Sequence, residues 1–193
     1  MAHKVLAVDD NSINLKVLGK YLAVRSFDVK LAANGFEAID MASTFKPDLI
    51  LMDIEMPEMS GIEAAEKIKQ KYPHLKIIML TVFDNDENIF NAIKAGADGY
   101  LLKEINAGDL HTGIIETLNG GAAMNPSIAL KTLKLLRNPS SIENISEKEE
   151  IKLTKREIEV LEQLSKGLSY TLIAENLFLS TGTIRKHIEN IYR

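Results

Sequence analysis

The chain has 193 residues, of which 46% are apolar and 26% charged, a composition typical of a globular protein with one or two domains. It contains no cysteine, which excludes disulfides, thiolate metal sites and thiol nucleophiles. No apolar run approaches the roughly 18 residues that span a bilayer, and the N-terminus lacks the hydrophobic segment of a signal peptide. These features predict a cytoplasmic protein with no membrane association.

The net charge of −4 is unevenly distributed along the chain. Residues 1–122 carry 12 Lys and Arg against 18 Asp and Glu, a balance of −6. Residues 123–150 balance to zero, and residues 151–193 carry seven basic against five acidic side chains, a balance of +2. An acidic first part and a mildly basic last part predict two domains with different partners. A charge of +2 would not by itself indicate nucleic-acid binding.

Five short apolar runs in the first 122 residues alternate with amphipathic segments. Such alternation is typical of parallel strands covered by helices on both faces of the sheet. In the first amphipathic segment, helical spacing predicts an apolar face that includes Ile13, Val17, Leu18 and Leu22. We predict an α/β fold with a flavodoxin-like, doubly wound, five-stranded parallel sheet of order 2-1-3-4-5. Its predicted strands are Val5–Val8, Val29–Ala32, Asp48–Met52, Lys76–Leu80 and Gly99–Leu102.

Carboxylates follow two of the predicted strands, at the edge where this strand order places a ligand site. Asp9 and Asp10 follow strand one, and Asp53 ends strand three. In open α/β sheets, sites form beyond the carboxyl ends of the strands where the strand order reverses, here between strands one and three. Adjacent carboxylates repel one another unless a cation neutralises them, and their hard oxygen atoms suit Mg²⁺. The sequence therefore predicts a Mg²⁺ site at this edge.

Strands four and five add a hydroxyl and an ammonium group, those of Thr81 and Lys103, to the same edge. Carboxylates, a metal, a hydroxyl donor and a lysine are typical of a phosphoryl site, in which Asp53 could attack phosphorus to form an acyl phosphate. Each residue alone has an ordinary explanation, because Asp9-Asp10 could cap the next helix and Tyr100 could simply pack in the core. The combination of complementary groups at four strand ends favours the phosphoryl site.

Residues 123–150 are predicted to form a linker that contains one short helix. Asn125-Pro126-Ser127 is typical of a helix start. Helical spacing predicts one apolar face, formed by Ile128, Ala129, Leu133 and Leu136. The Pro and Ser residues after Arg137 and the polar run 143–150 indicate a flexible connection.

Residues 151–193 are predicted to form a small all-α domain. Thr154 and Glu157 have the spacing of a capping box, Gly167 marks the end of a helix, and Ser180 caps another. The apolar faces of the three predicted helices are Ile158, Leu161, Leu164 and Leu168; Ile173, Ala174 and Leu177; and Ile184, Ile188 and Ile191. Two short helices joined by a brief turn indicate a helix-turn-helix, whose last helix enters the major groove of DNA. A small helical domain that binds protein is the alternative.

The residues of the predicted phosphoryl site resemble the receiver domain of two-component response regulators over about residues 3–122. The resemblance rests on Asp9-Asp10, Asp53 with the following Met-Pro-Glu-Met-Ser-Gly, Thr81, and Tyr100-Leu-Leu-Lys103. It implies that Asp53 is the phosphoacceptor and that Asp10, Asp53 and the backbone carbonyl of Glu55 bind Mg²⁺, with Asp9 acting indirectly. It further implies that Lys103 contacts the phosphoryl oxygens, that Thr81 moves toward the phosphoryl group, and that Tyr100 swings inward behind Thr81 as the second switch residue.

The last 41 residues, from Leu153, resemble the LuxR-type DNA-binding domain, so that the whole chain resembles the NarL/FixJ subfamily. This resemblance implies base contacts from Arg185, Lys186 and Glu189 and phosphate contacts from Thr183 and His187, with Asn190 on the same outward face. Leu172 departs from the acidic residue usual at its position, and Glu189 departs from the basic residue of some relatives. The resemblance also implies further helix beyond Arg193, so we expect a C-terminally truncated domain and weak DNA binding.

The predicted function is that of a phosphorylation-switched transcription regulator, with domains at 1–122 (receiver), 123–150 (linker) and 151–193 (DNA-binding). We expect that the protein is not an enzyme, except that it catalyses its own Mg²⁺-dependent phosphorylation and dephosphorylation. The implied partners are a sensor histidine kinase, promoter DNA and a second copy of the chain in a homodimer formed on phosphorylation. One alternative is a Mg²⁺-dependent phosphatase with an aspartate nucleophile, since Glu55 has the spacing of its general acid/base. Another is a receiver-controlled protein-interaction module.

Overall fold

The computed structural model describes residues 2–137, 154–177 and 179–191. The chain divides into two compact units, Met1–Ile145 and Ser146–Arg193, and each is described here by itself. The flexible connection predicted after Arg137 lies outside the described residues. Among the helices that are described, none is long and apolar enough to cross a bilayer.

The first unit contains a parallel sheet with the strand order β2-β1-β3-β4-β5, which confirms the prediction. Every strand begins and ends within one residue of its predicted bounds. The strands are β1 (Lys4–Val8), β2 (Asp28–Ala32), β3 (Leu49–Met52), β4 (Lys76–Thr81) and β5 (Gly99–Leu102). In the register of the sheet, Met52 pairs with Val8 on one side and with Met79 on the other. The residues that follow Val8 and Met52 therefore lie side by side at the carboxyl edge.

Five helices connect the strands and cover both faces of the sheet. They are α1 (Ser12–Val24), α2 (Gly35–Thr44), α3 (Gly61–Lys71), α4 (Asp86–Lys94) and α5 (Ala107–Leu118). Each begins after an Asn or Ser whose side-chain oxygen accepts a hydrogen bond from a backbone N–H of the first turn. Helices α2, α3 and α4 bury their small and aliphatic residues on one face of the sheet, and α1 and α5 cover the other face.

The side of α1 that packs against the sheet differs from the side that the helical spacing of its apolar residues predicts. Leu15 and Leu22 are buried, whereas Ile13 and Val17 are 68% and 66% exposed. Of the predicted face, Leu22 is buried and Leu18 packs against the core. The helix carries more apolar residues than one face can hold, so periodicity alone could not select the buried side.

A sixth helix, α6 (Pro126–Arg137), begins at the predicted proline and packs against the first unit. Ile128 and Leu135 are buried in the same core cluster as residues of α4. The predicted apolar face was right for Ile128 and wrong for Leu133 and Leu136, which are 49% and 67% exposed. The buried pair is spaced by seven residues, two turns of helix, which places both side chains on the side that meets α4.

The second unit contains α7 (Lys155–Ser165), α8 (Tyr170–Asn176) and α9 (Thr181–Ile191), the last two of which form the predicted helix-turn-helix. The capping box of Thr154 and Glu157 is present, and Gly167 after α7 has a φ of 74°. The core comprises Val160, Ile173, Ala174 and Ile184, with Leu164, Leu168, Leu177, Leu179 and Ile188 packed around it. Ile158 and Leu161, predicted to face this core, are exposed, because Val160 occupies the inward side of α7.

Candidate functional site

Four strands bring polar side chains to the carboxyl edge of the sheet. Asp9 follows β1, Asp53 follows β3, Thr81 ends β4 and Lys103 follows β5. Asp9 and Asp53 are 3% and 7% exposed, and Thr81 is fully buried. The sheet therefore brings four polar side chains that are far apart in the sequence to one largely buried position at its carboxyl edge.

The ammonium group of Lys103 lies between two carboxylates. Its Nζ atom is 2.7 Å from Asp9 Oδ2 and 2.8 Å from Asp53 Oδ2. The backbone N–H of Lys103 donates to the carbonyl of Thr81 at 2.8 Å, which fixes the start of the lysine relative to β4. Lys103 is thereby placed to neutralise Asp9 and Asp53 and to bind an anionic oxygen next to Asp53.

The carboxylate of Asp9 is held by the start of α1 as well as by Lys103. The backbone N–H of Asn11 donates to Oδ1 at 2.8 Å, and Asn14 Nδ2 lies 3.2 Å and 3.1 Å from Oδ1 and Oδ2. These donors, together with Lys103, hold the Asp9 carboxylate in a defined orientation. Asn14 was not predicted to belong to the site, although an Asn five residues after a strand-end acid, within the first turn of the next helix, was a usable signal.

Asp9, Asp10 and Asp53 form a cluster in which one carboxylate oxygen from each lies within 4.8 Å of the others. Asp10 is exposed and, together with Glu55, lines an open depression of about 560 Å³ beside Asp53. Three carboxylates of this kind are hard oxygen donors that leave positions for water. The donor set therefore fits a divalent cation such as Mg²⁺.

The ionisation of the site also favours a cation. Burial raises the pKa of the Asp53 carboxyl above its usual 3.8, and the charge of Asp9 adds to this, although Lys103 and the Ile54 N–H act in the opposite direction. Burial lowers the pKa of the Lys103 ammonium, but its hydrogen bonds and charge interactions with Asp53 and Asp9 outweigh burial and raise it overall. One lysine thus stays charged yet does not fully offset the buried negative charge, and a bound cation would complete the compensation.

The predicted switch residues are joined through one residue of the β4–α4 loop. The backbone N–H of Phe83 donates to Thr81 Oγ1 at 3.3 Å, and the hydroxyl of Tyr100 donates to the carbonyl of Phe83 at 2.8 Å. Tyr100 is fully buried, and burial together with the negative charge of Asp84 raises its pKa well above the usual 10.0. The hydroxyl therefore stays protonated and acts as a donor that ties β5 to the loop.

Gly61, the first residue of α3, allows this helix to start against the backbone of Asp53. A Cβ atom at position 61 would lie 1.8 Å from the Asp53 carbonyl oxygen, and the Gly61 N–H donates to the carbonyl of Ile54 at 2.8 Å. In the sequence, Gly61 stands out only as the last residue of the segment after Asp53 that carries the resemblance to receiver domains. The close approach shows that this glycine also determines where the Asp53 backbone can lie.

In the second unit, α9 carries the residues predicted to contact DNA. Arg185 and Lys186 are exposed, whereas His187 is half-buried. Thr183 is also half-buried, and its Oγ1 lies 2.8 Å from Ser180 Oγ at the start of α9. Residues 189 and 190 belong to α9, but the side chains of Glu189 and Asn190 lie outside what the structure describes. The described part of α9 thus presents two adjacent cations to solvent.

Comparison with known protein families agrees with this architecture. Residues 5–115 match the family model described as the response regulator receiver domain. The chain belongs to the response regulator family. Residues 152–193 match a second model, bacterial regulatory proteins of the luxR family. This response regulator thus combines a receiver domain with a LuxR-type DNA-binding domain, the architecture of a phosphorylation-controlled transcription regulator, and is not a classical enzyme.

Two curated relatives match nearly the whole of this response regulator, and a solved structure matches part of it. The transcriptional regulatory protein LnrK of Bacillus subtilis is 36% identical over 97% of this chain and 88% of its own length. The response regulator protein VraR of Staphylococcus aureus is 34% identical over 99% of this chain and 89% of its own length. A solved LuxR-family two-component response regulator from Aurantimonas matches 69% of this chain and 97% of its own, with 29% identity and a TM-score of 0.65.

Proposed function

We propose that this response regulator is switched by phosphorylation of Asp53 and thereby controls its binding to promoter DNA. The observation that carries the proposal is the position of Asp53, at the end of the central strand, bonded to Lys103 and beside an open depression. A largely buried carboxylate that is oriented by a lysine and lies next to an open depression suits a phosphoacceptor. A sensor histidine kinase is the proposed donor.

We assign each residue of the site a part in phosphoryl transfer, and the contacts support these assignments. Asp53 Oδ1 accepts the Ile54 N–H at 2.9 Å and Oδ2 faces Lys103, which orients the carboxylate for attack on phosphorus. As the bond from Asp53 to phosphorus forms, the bond from phosphorus to the donor breaks and the donor leaves. Lys103 then binds a phosphoryl oxygen, and the Thr81 hydroxyl donates a further hydrogen bond. Asn14 and Lys103 keep Asp9 fixed during this change.

The proposed metal ligands are Asp10, Asp53 and the backbone carbonyl of Glu55, with Asp9 acting indirectly. When bound, Mg²⁺ would offset the carboxylate charge and the charge that develops on the transferred group. The exposure of Asp10 beside the depression supports this assignment, because an exposed carboxylate can exchange water for an ion at little cost.

The proposed output is a change in the β4–α4 loop that alters DNA binding by the second unit. Thr81 and Tyr100 both bond to Phe83, so a movement of the Thr81 hydroxyl toward a phosphoryl group would act on the whole loop. On the DNA side, we propose base contacts from Arg185, Lys186 and Glu189, phosphate contacts from Thr183 and His187, and a supporting position for Asn190. The protein would act in the cytoplasm as a homodimer on adjacent half-sites.

The decisive experiment is incubation of the chain with acetyl phosphate and Mg²⁺, followed by measurement of the intact mass. The expected result is the gain of one phosphoryl group, which is absent in Asp53→Asn and when Mg²⁺ is chelated. Phosphorylation that is unchanged in Asp53→Asn would overturn the assignment. Continued turnover of an added phosphate ester would instead support an aspartate-nucleophile phosphatase. The absence of salt-sensitive DNA binding by the chain would favour the protein-interaction alternative.

A further inference from the structure

Lys131 of α6 makes a two-point contact with Asp84 in the loop between β4 and α4. Its ammonium group donates to the Asp84 carboxylate at 2.7 Å and also to the Asp84 backbone carbonyl. The two residues are 47 positions apart in the chain. Because one of the bonds goes to the backbone, the contact fixes the path of the loop as well as neutralising a side chain.

Asp84 directly follows the residue that joins the two switch side chains. The N–H of Phe83 bonds to Thr81 and its carbonyl accepts the hydroxyl of Tyr100, so the peptide groups on both sides of Phe83 are already engaged. The negative charge of Asp84 acts on the Tyr100 hydroxyl, since it contributes to the raised pKa of that group. Lys131 therefore holds the loop one residue beyond Phe83 and balances a charge that Tyr100 experiences.

Helix α6 is well placed to hold the loop, because the segment just before it bonds to β5 and the helix itself packs against α4. The N–H groups of Tyr100 and Leu102 donate to the Ala123 carbonyl and to Asn125 Oδ1, each at 2.8 Å. Ile128 and Leu135 are buried in the same cluster as Tyr100 and α4. Lys131 lies between Ile128 and Leu135 in the sequence of α6. The packing of these two residues therefore sets the position from which the Lys131 side chain extends.

We propose that Lys131 is a positioning residue of the phosphorylation switch, which stabilises the arrangement with Tyr100 buried and thereby favours phosphorylated Asp53. The inference rests on the proposed function. In that function, an inward Tyr100 accompanies movement of Thr81 toward the phosphoryl group, so a contact that keeps Tyr100 inward favours the phosphorylated protein. By linkage, phosphorylation in turn strengthens the docking of α6, the last described helix before the DNA-binding domain.

The test compares the rate at which acetyl phosphate and Mg²⁺ phosphorylate the 193-residue chain and its variants. Lys131→Ala is expected to lower the initial rate about two- to fivefold, the range for a partly exposed ion pair. Lys131→Arg should retain most of the rate, because a guanidinium group can reach both oxygens of Asp84. The matched control is Lys134→Ala, an exposed lysine of the same helix with no hydrogen bond or ion pair among the described residues.

Two further measurements distinguish positioning from a general loss of stability. In the double variant Lys131→Ala with Asp84→Asn, the rate should not fall below that of the slower single variant, because both changes break one contact. In the unphosphorylated protein, Lys131→Ala should speed amide hydrogen exchange in residues 82–85, and Lys134→Ala should not.

The inference is overturned if Lys131→Ala matches Lys134→Ala in phosphorylation rate and exchange, or if it speeds phosphorylation. It is equally overturned if Lys131→Arg is as slow as Lys131→Ala. A wild-type chain that takes up no phosphoryl group contradicts the proposed function itself, which separates that failure from the failure of the role of Lys131.

Discussion

Lys103 Nζ lies 2.8 Å from Asp53 Oδ2. The proposed phosphoacceptor, which follows β3, is therefore paired with a lysine that follows β5, and β4 lies between these two strands in the sheet. The same nitrogen bonds to Asp9, which leaves the lysine fixed by two carboxylates. Both carboxylates are largely buried, and a buried charge that loses its partner is strongly destabilised. The pairing therefore affects the chemistry of the site as well as its stability.

We predict that Lys103→Met, which keeps most of the apolar stem, slows phosphorylation of Asp53 by acetyl phosphate about ten- to a hundredfold. A hydrogen bond to a charged group contributes about 1.5–3 kcal/mol, and each 1.4 kcal/mol corresponds to a factor of about ten. The measurement is the time course of the intact mass with saturating Mg²⁺. Lys67→Met, on the exposed side of α3, serves as the control and should react at the wild-type rate. Equal rates for the two variants would contradict the role of Lys103.

A second prediction concerns the close approach of Gly61 to Asp53. Gly61→Ala places a Cβ atom 1.8 Å from the Asp53 carbonyl oxygen, so the start of α3 or the end of β3 must shift. We expect a loss of about 1–3 kcal/mol in the free energy of unfolding of the first unit, the range for overpacked sites, together with slower phosphorylation. Urea unfolding followed by circular dichroism measures the first effect and intact mass the second.

Gly182→Ala is the matched control for this change, because the nearest atom that its Cβ would meet is 3.7 Å away. It lies in α9 of the second unit, where Ala is also the better helix former. This control should leave phosphorylation of Asp53 unchanged. If Gly61→Ala had the wild-type free energy of unfolding and the wild-type rate of phosphorylation, the backbone contact would not constrain Asp53.

The strand ends could be predicted from the sequence, whereas the buried faces of α1 and α6 could not. The apolar runs before Asp9, Asp53 and Lys103 are continuous and short, and strand order alone then determines that their carboxyl ends meet. Helices α1 and α6 carry apolar residues on more than one side, so the choice between Ile13 and Leu15, or between Leu133 and Leu135, is made by packing against neighbouring elements.

Two features that were not predicted, the close approach of Gly61 and the link from Lys131 to Asp84, depend on tertiary packing. The close approach of Gly61 was not predicted, because the sequence does not show that α3 begins against the Asp53 carbonyl. The link from Lys131 to Asp84 joins two ordinary surface charges, and only the docking of α6 on the first unit brings them together. Local patterns therefore predicted the chemical groups, and tertiary packing determined how they are held.

A third prediction concerns the two exposed cations of α9. Arg185→Ala and Lys186→Ala should each weaken binding of the chain to a mixed-sequence DNA duplex at low salt, since each removes one positive charge from the face proposed to meet DNA. Each should also make the salt dependence of binding shallower, by about one unit of the log–log slope if that side chain contacts a phosphate. Fluorescence anisotropy over a range of salt concentrations measures both effects.

The control for the DNA prediction is Lys166→Ala, an exposed lysine that follows α7 in the same unit. It removes the same charge from a different surface, so its affinity and salt slope should change less than those of the α9 variants. If all three variants lost affinity equally, the effect would reflect net charge, and α9 would not be the contacting helix.

A fourth prediction concerns the pH dependence of stability, through Asp98 at the start of β5. Burial alone would raise the pKa of this carboxyl, but hydrogen bonds from Lys69 and Lys76 and from the Ile77 N–H outweigh burial and lower it below 3.8. The two lysine nitrogens lie 2.6 Å and 2.9 Å from its oxygens. A carboxyl whose pKa is lower in the folded state contributes stability above its unfolded pKa and loses it as the pH falls through the folded value.

Asp98→Asn should therefore lower the free energy of unfolding of the first unit by about 1–3 kcal/mol near pH 7, the range for a buried charged hydrogen bond that loses its partner. The difference from wild type should shrink at pH values below about 4, where the wild-type carboxyl becomes protonated as well. Urea unfolding at several pH values measures this, with Glu66→Gln on the exposed side of α3 as the control for loss of one negative charge. A difference that stayed constant down to about pH 2 would show that Asp98 stabilises the fold through its shape and neutral hydrogen bonds, because only the charged pairing with Lys69 and Lys76 disappears on protonation.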